Sequence, residues 1–306
     1  MKRITALLLA AILLLSFSAC GGKSGGETPS DETQEPAETA ETSLCAMQFE
    51  PPEAYTLRER FTDQTANGEV SEINISFTLA DGSEVAYGVL KDLDLESKIG
   101  SSDIEKTEVN GKTFYLVDSQ NEYQAYTQHG SNAYGVQCTV PEGVDGPALR
   151  SEKIAAITFA DAEAEIKPND TDLFDVRYTV SEDLPLAGYG ITVLENDAGE
   201  VVKKSVVWKY GDDLSNPDFR LMIRVFRNDT VENVTDADKT YEETTVGDIA
   251  YTVLKADEGK AAYDYFTQHG SDVYEIRNNG HYNGWSTVRD EASESAFEAF
   301  LNSIHF

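Results

Sequence analysis

The chain has 306 residues, of which 55 are Asp or Glu and 24 are Lys or Arg, so its formal net charge at pH 7 is −31. A surface this acidic repels nucleic acid and anionic lipid head groups, which excludes a nucleic-acid-binding protein. Apolar residues make up 40% of the chain, enough to build folded cores, and the length suits two domains behind an N-terminal leader.

The N-terminus has the pattern of a bacterial lipoprotein signal peptide at residues 1–19. Lys2 and Arg3 precede the apolar run Ile4–Phe17, which is shorter than the roughly 20 residues that span a bilayer. Two small residues stand directly before Cys20, as in a lipobox, although Phe17 stands where this motif favours leucine. We therefore expect a lipid on Cys20 and a location at the extracytoplasmic face of the cell membrane. The alternative is an ordinary cleaved signal peptide.

Residues 20–46 are predicted to be a disordered, acidic tether. Gly21–Gly26 is glycine-rich and cannot pack against other structure. The segment 27–42 is rich in Glu, Thr, Pro and Ala and shows no hydrophobic periodicity. Folded sequence is expected to begin near Met47.

An internal repeat organises the remaining chain. Thr127–Ser131 recurs as Thr267–Ser271, and further matches follow in the same order on both sides. Upstream, Gly111 matches Gly247 at an offset of 136 residues. We therefore predict two tandem repeat domains, the first at residues 47–162 and the second at residues 163–306.

Each repeat is predicted to be α+β, an antiparallel β-sheet with one C-terminal helix packed on it. In the first repeat, Asp145 and Pro147 favour the start of a helix. In the second repeat, Asp290 is a plausible N-cap. The helix after it has apolar residues at i, i+3, i+4 and i+7. They are Phe297, Phe300, Leu301 and Ile304.

His129 and Gly130 are predicted to form a two-residue hairpin turn, because glycine accepts positive φ freely and histidine accepts it better than most residues. This register pairs Ala125 with Tyr134 on the face that should pack into the core. His129 and its counterpart His269 are interpreted as turn residues without chemistry.

The opposite face of the same hairpin is predicted to be exposed. In the second repeat this register places Asp264 opposite Glu275, and two facing carboxylates are tolerable only in water. Four apolar side chains near the hairpin tips then form a candidate partner-binding patch, unless a loop or the other repeat covers them. They are Tyr126, Ala133, Phe266 and Val273.

The order of hairpins, paired tyrosine-rich strands and a C-terminal helix resembles the PsbP-like domains of Gram-positive lipoproteins. The resemblance covers each repeat separately. It implies a fold and an envelope location, and it implies no site residues.

Two cysteines remain once Cys20 carries a lipid. Cys45 and Cys138 could pair, because exported proteins form disulfides, but their spacing has no signature and two free thiols are the alternative. No cofactor and no metal site are expected. Asp92, Asp94 and Glu96 resemble the start of a calcium loop without its later ligands, and the acidic stretch 229–238 is a second loop of this kind. Both are predicted to be solvated loops, with calcium binding left open.

No motif for nucleophilic, phosphoryl-transfer or zinc-dependent catalysis is present in the sequence. The leading hypothesis is a non-catalytic module that binds an envelope protein or a small ligand. One alternative is a solute-binding lipoprotein of a transporter. The other is an envelope hydrolase that uses acidic residues.

Overall fold

The computed structural model describes residues 42–96, 104–180, 184–214, 217–254, 263–283, 286–288 and 291–306. Residues 1–41, which contain the predicted signal peptide, Cys20 and most of the predicted tether, lie outside the described residues, as does Asp290. The predicted tether of residues 20–46 extends too far, because Ser43–Leu44 already forms a strand and Leu44, Cys45 and Ala46 are buried. Of the described residues, 51% are in strands and 11% are in helices, so this part of the chain is mostly β. No helix in the described ranges is long and apolar enough to cross a membrane.

The strands vary from two residues to twelve. In chain order they are β1 (Ser43–Leu44), β2 (Met47–Gln48), β3 (Leu57–Thr65), β4 (Val70–Thr78), β5 (Glu84–Leu90), β6 (Glu105–Val109), β7 (Lys112–Ser119), β8 (Glu122–His129), β9 (Asn132–Thr139), β10 (Thr158–Phe159), β11 (Leu186–Asn196), β12 (Val201–Tyr210), β13 (Phe219–Phe226), β14 (Tyr241–Val246), β15 (Ile249–Leu254), β16 (Tyr263–His269), β17 (Asp272–Asn283) and β18 (Ser286–Val288). The helices are α1 (Gly146–Ala155), α2 (Val231–Val234) and α3 (Glu291–Ser303).

The long strands belong to one antiparallel sheet. Its order is β14-β15-β16-β17-β13-β12-β11-β3-β4-β5-β9-β8-β7-β6, with β18 paired to β17, while β1, β2 and β10 form a small separate sheet. The predicted α+β fold, with two tandem repeats that each have their own sheet and C-terminal helix, is therefore wrong. The physical reason is that any strand can satisfy the hydrogen-bonding groups of an edge strand, so local patterns do not specify where a sheet ends.

Two compact units divide the chain. The first contains residues 42–61, Ser71–Lys167 and Glu195–Glu200. The second contains Thr62–Val70, Pro168–Leu194 and Val201–Phe306.

In the first unit, α1 packs against β8 and β9. The Asp145 side chain accepts a hydrogen bond from the Ala148 backbone amide at 3.0 Å, which caps the first turn of the helix as the sequence predicts. Arg150 is buried on this helix, where it forms an ion pair with Asp118 and donates to the Gln124 carbonyl at 3.2 Å. The helix is thus fixed to the sheet by polar contacts as well as by the apolar side chain of Ile154.

In the second unit, α3 carries the apolar stripe that its periodicity predicts, and its four members are buried. The ring of Phe300 meets that of Trp208 at a centroid distance of 5.3 Å and an interplanar angle of 63°. Tyr178 adds a second edge-to-face contact to Trp208 at 4.9 Å. These edge-to-face contacts anchor the helix in the core of the unit.

The two hairpin turns differ from the prediction by one residue. His129 pairs with Asn132 at the end of the β8–β9 ladder, so the turn residues are Gly130 and Ser131. Gly130 has φ 60°, which suits the first central position of a type II′ turn. His129 is therefore the last residue of a strand, and Ala125 pairs with Val136 instead of Tyr134. The register moves by two residues, so the side chains keep their predicted faces but change their partners.

The prediction that the second face of these hairpins is exposed is also wrong. In the first unit Tyr126 and Ala133 are buried in a cluster with Leu95, which lies in the segment after β5. Gln128 binds this segment, because its side chain accepts from the Leu95 amide at 2.9 Å and donates to the Leu93 carbonyl at 3.1 Å.

The same correction applies to Phe266 and Val273 in the second unit. Phe266 is 5% exposed and Val273 is fully buried. Tyr241, at the start of β14, contacts the ring of Phe266, and the Gln268 side chain donates to the Asp229 carbonyl at 3.1 Å. The covering segments are distant in sequence, and they bury both side chains, so the predicted exposed patch is absent at these residues.

Two carboxyl groups in the first unit give a pH-dependent prediction. Glu84 on β5 and Glu122 on β8 both pair with Thr139 of the strand between them. Burial raises the pKa of Glu84, and the charge of Glu122 raises it further, although the Ser76 hydroxyl lowers it. An acid whose pKa is raised by folding contributes stability below its unfolded pKa and loses that stability as the pH rises through the folded pKa.

We therefore expect Glu84→Gln to raise the free energy of unfolding at pH 7 by about 0.5–1 kcal/mol. Urea unfolding at pH 7 and at about pH 4 measures this, and the gain should shrink at the lower pH. Glu142→Gln, at an exposed loop position, is the matched control and should change little. A gain that does not depend on pH would contradict the explanation.

Candidate functional site

Each long hairpin ends in a histidine that stacks on a phenylalanine. In the first unit, His129 lies on Phe159 with ring centroids 4.8 Å apart and planes at 24°. In the second unit, His269 lies on Phe306 at 4.5 Å and 7°. The phenylalanines come from the end of the first unit's small sheet and from the C-terminus, and local sequence patterns did not place them beside the histidines.

A tyrosine supports each stacked pair from the neighbouring strand. Tyr134 meets Phe159 edge-on at 5.1 Å, and Tyr274 meets Phe306 edge-on at 4.7 Å. Thr127 pairs with Tyr134, and Thr267 pairs with Tyr274, so the two hairpins place these rings at the same ladder position. The repeated sequence Thr-Gln-His-Gly-Ser thus encodes a shared local structure.

An open pocket of about 400 Å³ lies beside the histidine of the second unit. The β15–β16 ladder ends at the pair Thr252–Phe266, and residues of both strands beyond that pair line the pocket. We call it the β15–β16 pocket. The residues that line it include Glu243, Asp248, Ile249, Phe266, His269 and Phe306. This volume lies within the range of small-molecule sites in proteins.

The charged groups of this pocket are carboxylates. Glu243 Oε1 accepts a hydrogen bond from Thr252 Oγ1 at 2.9 Å, which orients the carboxylate on the strand surface. Asp248 is exposed in the turn between β14 and β15. Ile249, Phe266 and Phe306 add apolar carbon to a lining that also contains Thr252, Thr267 and Gln268. A pocket with two acids and two aromatic rings suits a ligand that combines positive charge with apolar carbon.

Buried carboxylates elsewhere in the second unit are compensated by cations. Asp264 contacts Arg277 at 2.8 Å, Asp272 contacts Arg227 at 2.9 Å, and Glu275 contacts Arg224 at 3.0 Å. Asp264 and Glu275, which the sequence placed opposite each other in water, are buried and held by these arginines. Their charges hold the sheet together, so these groups are structural.

Asp63 shows the same arrangement. Burial raises its pKa, and Lys209, whose Nζ lies 2.6 Å from Asp63 Oδ2, opposes this shift. The carboxylate is thus fixed by its partner instead of being presented to a substrate.

Cys45 and Cys138 are free and buried in the structure, so the disulfide that the sequence left open is not formed in it. Burial raises the pKa of Cys45 to about 11 and that of Cys138 to about 12. Both thiols are therefore protonated at neutral pH, which disfavours nucleophilic or metal-binding roles.

The two acidic loops use their carboxylates to shape the backbone. Asp94 Oδ1 accepts from the Glu96 amide at 3.1 Å. Asp229 Oδ1 accepts from Thr230 N and from Asn233 Nδ2 at 2.8 and 2.9 Å. Within the described ranges, no group of three or more His, Cys, Asp or Glu residues is placed to hold a metal ion.

Sequence reasoning placed the two histidines in the hairpin turns, one residue from the strand ends where they lie, and missed the pocket. The missed signal is a difference between the hairpins. Lys112 pairs with Val109 at the end of the β6–β7 ladder. Ile249 pairs with Val246 at the end of the β14–β15 ladder. Residues at the same ladder position in the two hairpins are therefore 137 residues apart, whereas the sequence alignment of Gly111 with Gly247 gave 136. At the correct offset, a lysine in the first unit corresponds to an isoleucine in the second.

Comparison with known proteins identifies no family. No family model and no curated protein matches the chain. Among solved structures, it is similar to MucB in a crystal structure of MucB in complex with MucA(peri), at 8% sequence identity and a TM-score of 0.19, over 82% of this chain and 93% of that chain. A likeness at this TM-score carries no argument about fold or function.

Proposed function

We propose that the chain is a membrane-anchored extracytoplasmic lipoprotein whose folded part is a non-catalytic module that binds a small ligand. The β15–β16 pocket carries this proposal, because it combines the volume of a small-molecule site with converging carboxylate and aromatic side chains. The signal-peptide pattern before Cys20 supports the anchor.

The buried acids of the second unit do not form a hydrolytic pair. A glycosidase-type mechanism needs a carboxylic acid and a carboxylate that both reach the substrate. Asp264, Asp272 and Glu275 are instead engaged by arginines. A transporter-type solute receptor is the other candidate, but its usual two α/β lobes disagree with described residues that are 51% strand and 11% helix.

Filling the pocket should abolish ligand binding without unfolding the protein. Ala250 lines the pocket at an exposed position of β15, so Ala250→Trp places an indole in the space a ligand needs. We expect some members of a library of small amines, acids, sugars and aromatic compounds to raise the Tm of the unmodified chain by about 2–4 °C at saturating concentration. The same compounds should not stabilise Ala250→Trp.

Thr244→Trp is the matched control, since Thr244 is exposed on β14 and lies outside the pocket lining. It should retain the ligand-induced rise in Tm. Equal stabilisation of both variants would show that ligands bind elsewhere. A library without any stabilising compound would contradict small-ligand binding.

A further inference from the structure

In the first unit, a lysine ammonium already lies against the histidine–phenylalanine pair. Lys112 Nζ is 2.8 Å from His129 Nδ1 and 5.4 Å from the centroid of the Phe159 ring. An ammonium can only donate, so His129 Nδ1 is the acceptor in this contact. The phenylalanine ring adds the attraction of an aromatic face for a cation. The stacked histidine and phenylalanine therefore form a binding position for an ammonium group, which we call the seat.

The second unit keeps this seat and removes the lysine. His269 and Phe306 stack as His129 and Phe159 do, but the ladder position of Lys112 is occupied by Ile249. The volume beside His269 is the β15–β16 pocket.

A second lysine position is reversed in charge. Lys106 pairs with Tyr115 in the first unit, and its ammonium lies 4.6 Å from the centroid of that ring. The equivalent ladder pair in the second unit is Glu243 with Thr252. The hairpin that supplies two ammonium groups in the first unit thus supplies a carboxylate and an isoleucine at the same positions in the second, and Asp248 adds a second carboxylate.

We propose that the β15–β16 pocket binds a small aliphatic ligand with one or more primary ammonium groups, such as a diamine or polyamine. The inference rests on the proposed function and names the ligand class of the same site. One ammonium takes the place beside His269 and Phe306 that Lys112 takes in the first unit. Glu243 and Asp248 balance the charge, and Ile249 and Phe266 contact the methylene groups.

The lining favours an organic cation over a bare metal ion. Calcium takes six to eight oxygen ligands. Here the two carboxylates stand among aromatic and aliphatic carbons, which suit a ligand with its own hydrocarbon chain. The acidic surface of the whole chain raises the local concentration of any cation, so a test must separate pocket binding from general attraction.

The test is calorimetric titration of spermidine into the full chain in a non-ionic detergent, at an ionic strength of about 0.15 M. The double variant Glu243→Gln, Asp248→Asn should weaken binding by about tenfold or more. The control variant Asp197→Asn, Glu298→Gln removes the same charge at exposed positions outside the pocket lining and should leave binding within about twofold.

Ile249→Lys provides an independent arm, because it restores the ammonium that the first unit supplies itself. We expect this variant to fold, with an unchanged far-ultraviolet circular dichroism spectrum, and to lose measurable spermidine binding. The neutral analogue 1,4-butanediol should not bind the unmodified chain.

Three outcomes would overturn the inference: no binding of spermidine, equal weakening by the pocket and control variants, or full binding by a folded Ile249→Lys chain. These results differ from failure of the proposed function. Suppose that non-cationic compounds stabilise the unmodified chain but not Ala250→Trp. That result would support the proposed small-ligand binding and reject an ammonium ligand.

Discussion

Replacing Arg277 with methionine is expected to lower the free energy of unfolding by about 3–5 kcal/mol. Arg277 lies on β17 directly opposite Asp264 on β16, and its Nη2 is 2.8 Å from Asp264 Oδ2 and 2.8 Å from Glu275 Oε1. Asp264 is 7% exposed and Glu275 is 2% exposed. Without the guanidinium, Asp264 becomes a buried charge without compensation, because water cannot reach it. Denaturant unfolding of the two chains at pH 7 measures the loss.

A second variant separates charge from packing. Arg277→Met combined with Asp264→Leu removes both charges, and Glu275 still contacts Arg224 at 3.0 Å. This double variant should lose much less stability than Arg277→Met alone, since an apolar pair can replace a buried ion pair at little cost. Lys239→Met, which breaks an exposed ion pair with Asp236, should cost below about 1 kcal/mol. Equal losses for the single and double variants would contradict charge compensation as the cause.

Cys20→Ala is expected to abolish membrane anchoring. The signal-peptide pattern places Cys20 at the first position of the mature chain, where a lipid would attach the chain to the bilayer. The variant should appear in the medium or stay as an unprocessed precursor. Fractionation of cells and incorporation of labelled palmitate measure this.

Cys45→Ala makes the matched control, because it removes a thiol that lies buried in the first unit. It should keep both the label and the membrane location of the unmodified chain. Retention of Cys20→Ala in the membrane fraction, with labelling intact, would reject the lipoprotein assignment.

Local patterns in the sequence predicted local structure well. The period of Phe297, Phe300, Leu301 and Ile304 specifies which face of α3 is buried, because helix geometry alone places those four together. The cap of α1 by Asp145 was also predictable, because it involves only the first turn of the helix. Each result depends only on neighbours within one or two turns.

The hairpin register shows where such reasoning ends. Glycine supplies the one positive φ that a type II′ turn needs, so Gly130 begins the turn and His129 stays in the strand. Both residue types accept positive φ, and the sequence alone did not decide between them. A shift of two residues kept the faces but replaced the partner of Asp264, which is Arg277 instead of Glu275.

Burial of the second face could not be predicted, because distant segments cause it. Leu95 covers Tyr126, and Tyr241 covers Phe266. No hydrophobic periodicity predicts that these distant residues meet. The continuity of the sheet is non-local in the same way. Prediction of the pocket required the exact offset between the two hairpins, since only that offset aligns Ile249 with Lys112.

The two outermost strands of the sheet, β6 and β14, have a consequence for crowding. An outermost strand offers unpaired backbone groups to any other chain, and charged side chains oppose such pairing. Glu105, Lys106 and Glu108 are exposed on β6, and Glu242 and Glu243 are exposed on β14. Copies that approach each other edge to edge would bring these strands together, and the carboxylates, which outnumber Lys106, oppose the contact. The acidic rims thus resist fibril-like stacking of neighbouring molecules.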